Sequence, residues 1–522
     1  MSTRSRTPRR DSMAGAVPCS LRRVQPRRRR FLPLASRMRA HRPHAGRSPM
    51  TTATMTPAPF AAEVVAATAV HPLPDGEVRL LGAVESVTGA MTRVEMGGRK
   101  LLVDCGIGQG AEARRWRFPD AARDVDAVVL THGHLDHIGS LPMLLDGGYD
   151  RPILATKATL DIARISLEDS LSMQRASFRE IQWFLSTFDR LARPVPYDQS
   201  GAPIGSLGLG LTFREAGHIL GSASVDLTSD KSRVVLSGDL GRPDSPILRD
   251  PFDAWPDARP VDVVIMESTY GSRDHEHTHS DIEEKLLSVV RETVAKKGKV
   301  FIPAFAIGRT QVLLWFLNEL VESRRLPKIP VALDTPMGLL VTETYGRFKK
   351  LYDKESVQKL SRGDDPLDFD DLFVVKRGKD SLRLREAPGP MIVIAGAGMV
   401  TGGRIIGHLV DGLPDPRNTL LFVGHQSVGT PGRRIQDAAK AGQTVWLDGE
   451  AVMVRARIET LRGLSAHADR GELRTWLSHI PNVRRVGLHH GELSAQRDLA
   501  AWLSGKPTAS PTAPPHPGHS HG

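Results

Sequence analysis

Three histidines and one aspartate lie within six consecutive residues of this sequence. The segment 131–137 reads Thr-His-Gly-His-Leu-Asp-His and directly follows the apolar run Val125–Leu130. Neutral imidazoles and carboxylates are ligands that suit zinc and similar divalent ions. With alternating spacing in a tight turn, these side chains can face two ions at once. The segment therefore predicts a metal centre in which His132, His134, Asp136 and His137 are ligands.

One cluster cannot fill two coordination spheres, and further histidines and aspartates follow apolar runs elsewhere in the chain. These residues are His218 within Gly217–Ser222, Asp239 after Val234–Leu236, and the pair His489-His490 after Val486–Leu488. Taken singly, each is more often a structural residue than a ligand. Together with the 131–137 segment they complete two ligand sets, which predicts a pair of ions.

Short apolar runs alternate with helical patterns between about residues 78 and 503, which indicates an α/β fold. The predicted strands are Arg79–Val84, Leu101–Asp104, Val125–His132, Val234–Asp239, Val261–Ser268, Lys299–Phe305, Pro390–Ala395, Thr419–Gly424 and Val483–His489. The predicted helices are Thr159–Leu191, Ile282–Lys296, Thr310–Val321 and Arg470–Leu477. Several strands end in a polar residue, so a rigid sheet would aim these side chains into one cleft.

The order of these motifs resembles the metallo-β-lactamase fold. The matching residues are Asp104 with Cys105-Gly106, the 131–137 segment, His218 and Asp239. Later motifs resemble the β-CASP subgroup of RNA-processing nucleases: Glu267 in Glu267–Gly271, the stretches Pro303–Gln311 and Gly396–Met399, His408 in Gly403–His408, and His467 in Leu464–Asp469. The similarity spans about residues 76–505. Its nearest counterparts are the nuclease subunit of the cleavage and polyadenylation factor and the stand-alone bacterial relatives.

The resemblance implies a metallo-β-lactamase αββα sandwich with an inserted α/β β-CASP cap domain. The sandwich domain is expected at 76–268 and 461–505, and the β-CASP domain at 269–460. A disordered Arg-rich extension is expected at 1–75 and a disordered tail at 506–522.

The resemblance also implies the ligand sets. His132, His134 and His218 would hold one zinc ion, Asp136, His137 and His490 the second, and Asp239 would bridge them. We choose His490 over His489 because His490 directly precedes Gly491-Glu492, as in the His-Gly-Glu motif of the family. Asp104 is expected to orient a ligand or the bridging water without binding metal. Manganese in place of zinc stays open.

The expected reaction is hydrolysis of a phosphodiester. Two zinc ions about 3.5–4 Å apart lower the pKa of a shared water and stabilise charge at phosphorus, so hydroxide attacks in line with the leaving oxygen. The resemblance places Glu267, His408 and His467 beside the phosphate. Asp136 is also predicted to be a catalytic residue. His467 is predicted as the general acid, Glu267 as the residue that positions it, and His408 as a hydrogen-bond donor to the phosphate.

The sequence resembles the RNA-acting members of the subgroup in having a histidine at position 467, so single-stranded RNA is the expected substrate. Internal cutting and 5′-3′ exonuclease action both stay open, and a homodimer is compatible with the sequence. Two other functions account for part of the sequence. A metallo-β-lactamase-fold hydrolase of small thioesters or lactams would leave Glu267, His408 and His467 without a role. A non-catalytic RNA-binding scaffold would be expected to have lost ligands, and none is missing here.

Several other features have ordinary structural explanations. Arg309, Arg404 and Gly398 are candidates for contacts with RNA phosphates, with surface charge and close backbone packing as their alternatives. The histidine-rich segment 274–279 is expected to be a solvated loop. The adjacent aromatic residues 183 and 184 are expected in the core, and Cys105 as a small buried residue.

Composition removes one attractive interpretation. The chain has 522 residues and a formal charge of +11, which suggests a basic nucleic-acid-binding domain. Residues 1–50, however, hold fourteen arginines against the single acid Asp11, and the remaining residues carry a net charge of −2. Net charge therefore says nothing about the ligand of the folded part. The basic stretch is a tail, a transit peptide, or sequence upstream of a start at Met50 or Met55. No apolar run is long enough to span a membrane, and a cytoplasmic location is expected.

Overall fold

The computed structural model describes residues 60–110, 112–199, 202–203 (main chain only) and 207–506. The chain divides into two compact units. The first unit contains the described residues of 60–276, 343–364 and 465–506, and the second contains 277–342 and 365–464. The expected tails lie outside the described residues up to residue 59 and from residue 507. The predicted domain boundaries at 268/269 and 460/461 stay predictions.

The strands are numbered along the chain. They are β1 Glu63–Ala66, β2 Val70–Leu73, β3 Gly76–Gly82, β4 Met91–Met96, β5 Arg99–Val103, β6 Ala127–Val129, β7 Ile153–Ala155, β8 Ala192–Pro194, β9 Ala202–Pro203, β10 Gly210–Glu215, β11 Ala223–Thr228, β12 Arg233–Leu236, β13 Val263–Glu267, β14 Lys299–Pro303, β15 Val331–Asp334, β16 Leu372–Val374, β17 Met391–Ala395, β18 Thr419–Phe422, β19 Thr444–Leu447, β20 Glu450–Met453, β21 Arg457–Thr460 and β22 Arg485–His489.

The α-helices are numbered in the same way. They are α1 Leu135–Ile138, α2 Leu141–Asp146, α3 Lys157–Met173, α4 Phe178–Leu191, α5 His279–Ala295, α6 Arg309–Glu322, α7 Pro336–Arg347, α8 Lys354–Ser361, α9 Gly378–Glu386, α10 Ile405–Gly412, α11 Pro431–Ala441, α12 Arg470–Ser478 and α13 Leu493–Leu503.

Two sheets form the centre of the first unit, each with seven strands among the described residues. Their strand orders are β1-β22-β13-β12-β11-β10-β9 and β2-β3-β4-β5-β6-β7-β8. Apolar side chains from both sheets, such as Val94, Phe213 and Ile265, are fully buried in one shared core. Burial of this apolar area, worth roughly 25 cal/mol per Å², holds the sheets face to face.

Helices cover the outer face of each sheet in the first unit. Leu167 of α3 and Phe188 of α4 pack with Val128 in one cluster, and Leu477 of α12 and Leu499 of α13 pack in another. The layers are therefore helix, sheet, sheet and helix, and the predicted αββα sandwich is confirmed.

The second unit is built on a parallel six-stranded sheet with the order β16-β15-β17-β14-β18-β21. Near-continuous apolar runs such as Met391–Ala395 form its central strands, as expected for strands buried on both faces. Helices α10 and α11 and the β19-β20 hairpin share one buried core with it. The predicted inserted α/β domain is confirmed, because this unit is encoded between segments of the first.

The predicted helix Thr159–Leu191 is wrong in one respect: it is two helices. The first helix ends at Met173, and Arg175 then adopts the left-handed conformation with φ +61°. Ser177 then begins α4 with a capping box, in which its hydroxyl accepts from the Glu180 main-chain N–H and the Glu180 carboxylate accepts from the Ser177 N–H. Ser-x-x-Glu is a helix-start signal in sequence as well. Within α4, Phe184 is buried as expected, whereas Trp183 is 45% exposed and is not the core residue that the sequence predicts.

Part of the expected disordered extension is ordered. Residues 63–66 form β1, which pairs in parallel with β22, and residues 70–73 form β2, which pairs with β3. The expectation of disorder up to residue 75 is therefore wrong for these two strands. The segments Glu-Val-Val-Ala and Val-His-Pro-Leu are so short that they give little signal until their partner strands are known. Among the described residues, no helix is long and apolar enough to cross a membrane.

Candidate metal centre

Parallel strand ends bring the predicted ligands of the first unit together. Strands β12, β13 and β22 run in parallel, and Asp239, Glu267 and His490 stand at or just beyond their carboxyl ends. Carboxyl ends of parallel strands meet at one edge of a sheet, so these three side chains converge. The predicted strands exist, but β6 and β12 stop short of His132 and Asp239, whereas β13 includes Glu267 and β22 ends at His489, next to His490.

Asp104 organises the start of the 131–137 segment. Its carboxylate accepts hydrogen bonds from the main-chain N–H and the hydroxyl of Thr131, both at 2.8 Å. It also lies 2.7 Å from Nδ1 of His137. A carboxylate is an acceptor, so Nδ1 of His137 carries the hydrogen and Nε2 keeps its lone pair.

Thr131 extends this arrangement to His132. Its hydroxyl hydrogen goes to Asp104, so the hydroxyl oxygen accepts from His132 Nδ1 at 3.0 Å. Nε2 of His132 therefore carries no hydrogen and has a lone pair that can bind a metal ion. The turn itself requires glycine at position 133, because a Cβ there would lie 2.6 Å from Cγ2 of Ile162.

The loop that carries His218 is held at several points. The His218 main-chain N–H donates to the Ser222 hydroxyl at 3.0 Å, and the Leu220 N–H donates to the Tyr345 hydroxyl at 3.2 Å. Nδ1 of the His218 ring lies 3.2 Å from the carbonyl oxygen of Ala466. Nδ1 is therefore the donor, and Nε2 of His218 is free to bind metal.

The first group of donors is His132, His134, His218 and Asp239. Nδ1 of His134 lies 3.1 Å from Nε2 of His132 and 3.3 Å from Nε2 of His218. Oδ2 of Asp239 lies 3.5 Å from Nε2 of His132 and 3.6 Å from Nε2 of His218. With zinc–nitrogen distances of about 2.0–2.1 Å, the corners of a tetrahedron are roughly 3.3–3.4 Å apart, so this group matches one zinc coordination sphere.

The second group is Asp136, His137 and His490. Nε2 of His490 lies 3.2 Å from Nε2 of His137 and 3.6 Å from Oδ2 of Asp136. The other oxygen of Asp239, Oδ1, lies 3.3 Å from His137 Nε2 and 3.4 Å from His490 Nδ1. Asp239 thus directs one oxygen to each group. His489 belongs to neither group.

The buried polar atoms of the site show whether these residues suit metal ions. Oδ1 of Asp239 is buried and accepts no hydrogen bond from any described residue, which is costly for a carboxylate unless a cation binds it. Burial holds the pKa values of His132 and His218 well below their usual range, so both rings are neutral, as ligands must be. Burial opposes the charge on His137, yet the Asp239 and Asp104 carboxylates hold its pKa well above the usual range, so these carboxylates favour a positive charge here, which a metal ion on Nε2 would supply in place of a second proton. The site attracts positive charge, and its donors suit zinc.

His467 lies beside the first group and is paired with Glu267. Its Nδ1 is 3.1 Å and 3.2 Å from the two oxygens of the Glu267 carboxylate, and 3.9 Å from Oδ2 of Asp239. Burial lowers the pKa of His467, but the charge of Glu267 and its hydrogen bond outweigh burial and raise it to about 9. A histidine with this pKa carries a proton at neutral pH and can give it away.

His408 belongs to the second unit, where it is 1% exposed on α10. Its Nε2 lies 2.7 Å from Oδ2 of Asp334, the last residue of β15. Among the described residues, its Nδ1 has no hydrogen-bond partner. Asp334 was missed by the sequence reasoning, and its only signal was a carboxylate at the end of an apolar run.

The three candidates for phosphate contacts also lie in the second unit. Arg404 pairs with Asp334 at 2.6 Å and donates to the carbonyl oxygens of residues 375 and 376 at 2.9 and 3.0 Å. Arg309 donates to the Val423 carbonyl. Gly398 is buried against the Phe305 ring, where a Cβ would come within 2.8 Å. Their phosphate contacts stay predictions, with structural roles visible for each.

Three further residues support the site and were not predicted from the sequence. Thr131 and Tyr345 hold ligand-bearing loops, and His275 contacts the main chain of His467 at 3.0 Å. Cys105 is buried, as expected, and burial raises the pKa of its thiol far above neutrality, so it is no nucleophile.

Three family models match consecutive parts of the chain. They are the metallo-beta-lactamase superfamily over residues 87–304, the Beta-Casp domain over 310–435, and the Zn-dependent metallo-hydrolase RNA specificity domain over 451–511. The chain is also 40% identical over 413 residues to Ribonuclease TTHA0252 of Thermus thermophilus, covering 79% of this chain and 92% of that protein. This chain belongs to the β-CASP group of RNA-processing metallo-β-lactamase nucleases. The resemblance inferred from its motifs is confirmed.

More distant relatives of this β-CASP protein carry a different name. Transcription termination factor FttA of Methanocaldococcus jannaschii is 30% identical, over 81% of this chain and 68% of that protein. FttA of Methanococcus maripaludis is 32% identical, over 77% of this chain and 65% of that protein. The matched region in each case spans both units of the fold.

Proposed function

We propose that this β-CASP protein hydrolyses phosphodiester bonds of single-stranded RNA at a centre of two zinc ions, with His467 as the proton donor. By family it is a metal-dependent ribonuclease. The observation that carries the finer proposal is the position of Asp239, which directs one carboxylate oxygen to each of two donor groups. A carboxylate that directs one oxygen to each of two donor groups can hold a pair of ions close together, as two-metal hydrolysis needs.

The ligands divide as the geometry groups them. His132, His134 and His218 would hold one ion, Asp136, His137 and His490 the other, and Asp239 both. When bound, such ions supply an activated water at neutral pH and stabilise negative charge on the phosphate. Manganese could replace zinc at nitrogen and oxygen donors of this kind.

The protein's own part in the reaction is to give the leaving oxygen a proton. An alkoxide leaves slowly unless it is protonated, and His467 is placed to donate. Glu267, fully buried and accepting the main-chain N–H of Leu240 at 2.7 Å, is fixed in place. Because it binds Nδ1 of His467, the other ring nitrogen is left to face the substrate. The His467 side chain is 22% exposed, so a phosphate can approach it.

The role of His408 stays a prediction. Its ring is buried and its Nε2 faces Asp334, so a hydrogen bond to phosphate would have to come from Nδ1. The structure supports a role for His408 within its own unit more directly.

RNA is the substrate class with the best support. The RNA specificity model matches the segment that contains His467 and His490, and the most similar of the relatives named above is called a ribonuclease. The alternative of a thioester or lactam hydrolase leaves the Glu267–His467 pair without a role. The alternative of a non-catalytic scaffold leaves the seven converging donors without one.

The test is cleavage of a 5′-labelled single-stranded RNA by purified protein. Activity that disappears with a chelator and returns with zinc supports the proposal. The ladder of products then separates internal cuts from stepwise release of nucleotides from the 5′ end. An Asp239→Asn variant should lose both bound metal and activity. Cleavage that persists through metal removal, or no cleavage of RNA with two zinc ions bound, would contradict the proposal.

A further inference from the structure

A short segment after β13, residues 273–275, is hydrogen-bonded along the loop that carries His467. The Arg470 N–H donates to the Arg273 carbonyl at 3.1 Å, and the Gly471 N–H donates to the Asp274 carboxylate at 3.2 Å. The Arg470 guanidinium also donates to Asp274, at 2.8 Å. The segment therefore holds the first turn of α12, which begins directly after the His467 loop.

Within the 273–275 segment, His275 makes the contacts that lie closest to His467. Its main-chain N–H donates to Oδ2 of Asp469 at 2.9 Å, and its Nε2 lies 3.0 Å from the carbonyl oxygen of His467. A carbonyl oxygen only accepts, so Nε2 of His275 carries a hydrogen and is the donor. The half-buried ring of His275 also lies against the Tyr270 ring, with 4.7 Å between centroids, which fixes its orientation.

The segment 274–279 is therefore not simply a solvated loop, and His275 has a defined partner. The geometry points to His275 as a positioning residue that holds the main chain of His467 in place for proton donation. This inference rests on the proposed function of His467. Glu267 holds the side chain of His467 and His275 holds its carbonyl, and both residues come from the single stretch 267–275.

Two fixed points matter because proton transfer depends on position. The His467 loop has other supports, such as the Ala468 N–H donating to the Leu240 carbonyl at 2.8 Å, so it would stay folded without His275. Its carbonyl, however, would lose its one contact to the 273–275 segment. A displacement of about 1 Å at a catalytic group can reduce a rate roughly 100-fold.

A metal ion is a weaker explanation of the same cluster. His275, Asp469 and Glu472 lie close enough together to hold an ion. Asp469, however, already accepts from the main-chain N–H groups of His275 and Glu472, at 2.9 and 2.8 Å. Glu472 accepts from the Asp469 N–H at 2.8 Å. The carboxylates act as caps of α12 and orient His275.

The experiment compares two RNA substrates that differ only in the leaving atom at the mapped cleavage position. One has the natural bridging oxygen, and the other has sulfur, whose thiolate leaves without needing a proton. Three variants are measured with each substrate: His275→Ala, His275→Gln, whose amide nitrogen can reach the same carbonyl, and His467→Ala. Glu276→Ala, at an exposed neighbouring position, is the control. Bound zinc is measured in every protein.

We expect His275→Ala to lower kcat on the oxygen substrate about 10- to 100-fold, with KM and zinc content unchanged. Its rate on the sulfur substrate should match that of the unmodified protein, and His275→Gln should recover most of the lost rate. Loss of rate on both substrates, loss of zinc, or no effect would overturn the role of His275. The role of His467 is tested separately, because it fails if His467→Ala slows the two substrates equally.

Discussion

Nδ1 of His467 lies 3.1 Å from Oε1 of Glu267, although the two residues are separated by 200 positions in the chain. Glu267 ends a strand that is buried at every residue, while His467 lies in the loop before α12. The pair is a buried carboxylate and a partly exposed imidazole beside the two groups of candidate metal ligands. This arrangement fixes which ring nitrogen of His467 faces outward.

Replacing Glu267 by Gln should slow RNA cleavage roughly 10- to 100-fold without loss of metal. The amide keeps the oxygen that accepts from Leu240 but removes the negative charge that keeps His467 protonated. Single-turnover cleavage rates and bound zinc per chain check this prediction. The exposed Glu276→Gln change is the control and should leave the rate unchanged. An unaltered rate in Glu267→Gln would exclude Glu267 from the reaction.

Replacing Asp104 by Asn should weaken zinc binding by about 10- to 100-fold. Asp104 accepts three hydrogen bonds, from two donors of Thr131 and from His137, and an amide nitrogen would face one of these donors. The histidine rings then lose their fixed orientation. Competition with a chromogenic chelator gives the affinity. Asp124→Asn, at an exposed carboxylate near Lys100, is the matched control. Equal affinities for both variants would contradict the positioning role of Asp104.

Glu215 should make stability depend on pH. Burial raises its pKa to about 8 from the usual 4.5, although the Gly217 N–H opposes the shift. The folded state therefore keeps a proton between pH 4.5 and 8 that the unfolded chain has lost, so stability falls as pH rises through this window.

The measurement is denaturant unfolding of the protein and of Glu215→Gln at several pH values. The variant lacks the ionisation, so its stability relative to the unmodified protein should increase from pH 4.5 to pH 8 and then level off. A difference in stability that is constant across this range would show that Glu215 titrates normally.

Asp334 should be essential for the stability of the second unit. It is fully buried and accepts from Ser381, Arg404 and His408 at 2.5–2.7 Å. Asp334→Ala would leave these donors without their acceptor, at an expected cost of about 3–5 kcal/mol. Hydrogen exchange of peptides from β15 and α10 reports on this unit. Asp411→Ala removes a more exposed pair with Arg385 and should cost less than about 1 kcal/mol. Similar exchange in both variants would contradict the prediction.

The segments that carry the candidate ligands could be found from the sequence because their signals are local. A dense His/Asp segment follows an apolar strand, and small residues surround His218, so both the type and the approximate position of each ligand can be inferred. The strand ends are predicted less well. Strands β6 and β12 end three residues before His132 and Asp239, because the chain turns there to bring these side chains to the site.

The partners of the functional residues could not be predicted in this way. Asp334 lies 74 positions from His408, and His275 lies 192 positions from His467. Neither spacing carries a periodic signal, because the fold alone brings such segments together. Arg404 shows the same effect, since its charge suggested a phosphate contact while its guanidinium pairs with Asp334.

Titration of metal-free protein with zinc, with RNA cleavage measured after each addition, tests the central claim most directly. We predict almost no cleavage up to one equivalent per chain and a rise to full activity by the second equivalent. Full activity at the first equivalent, or cleavage before any zinc is added, would contradict a reaction that depends on two ions joined by Asp239.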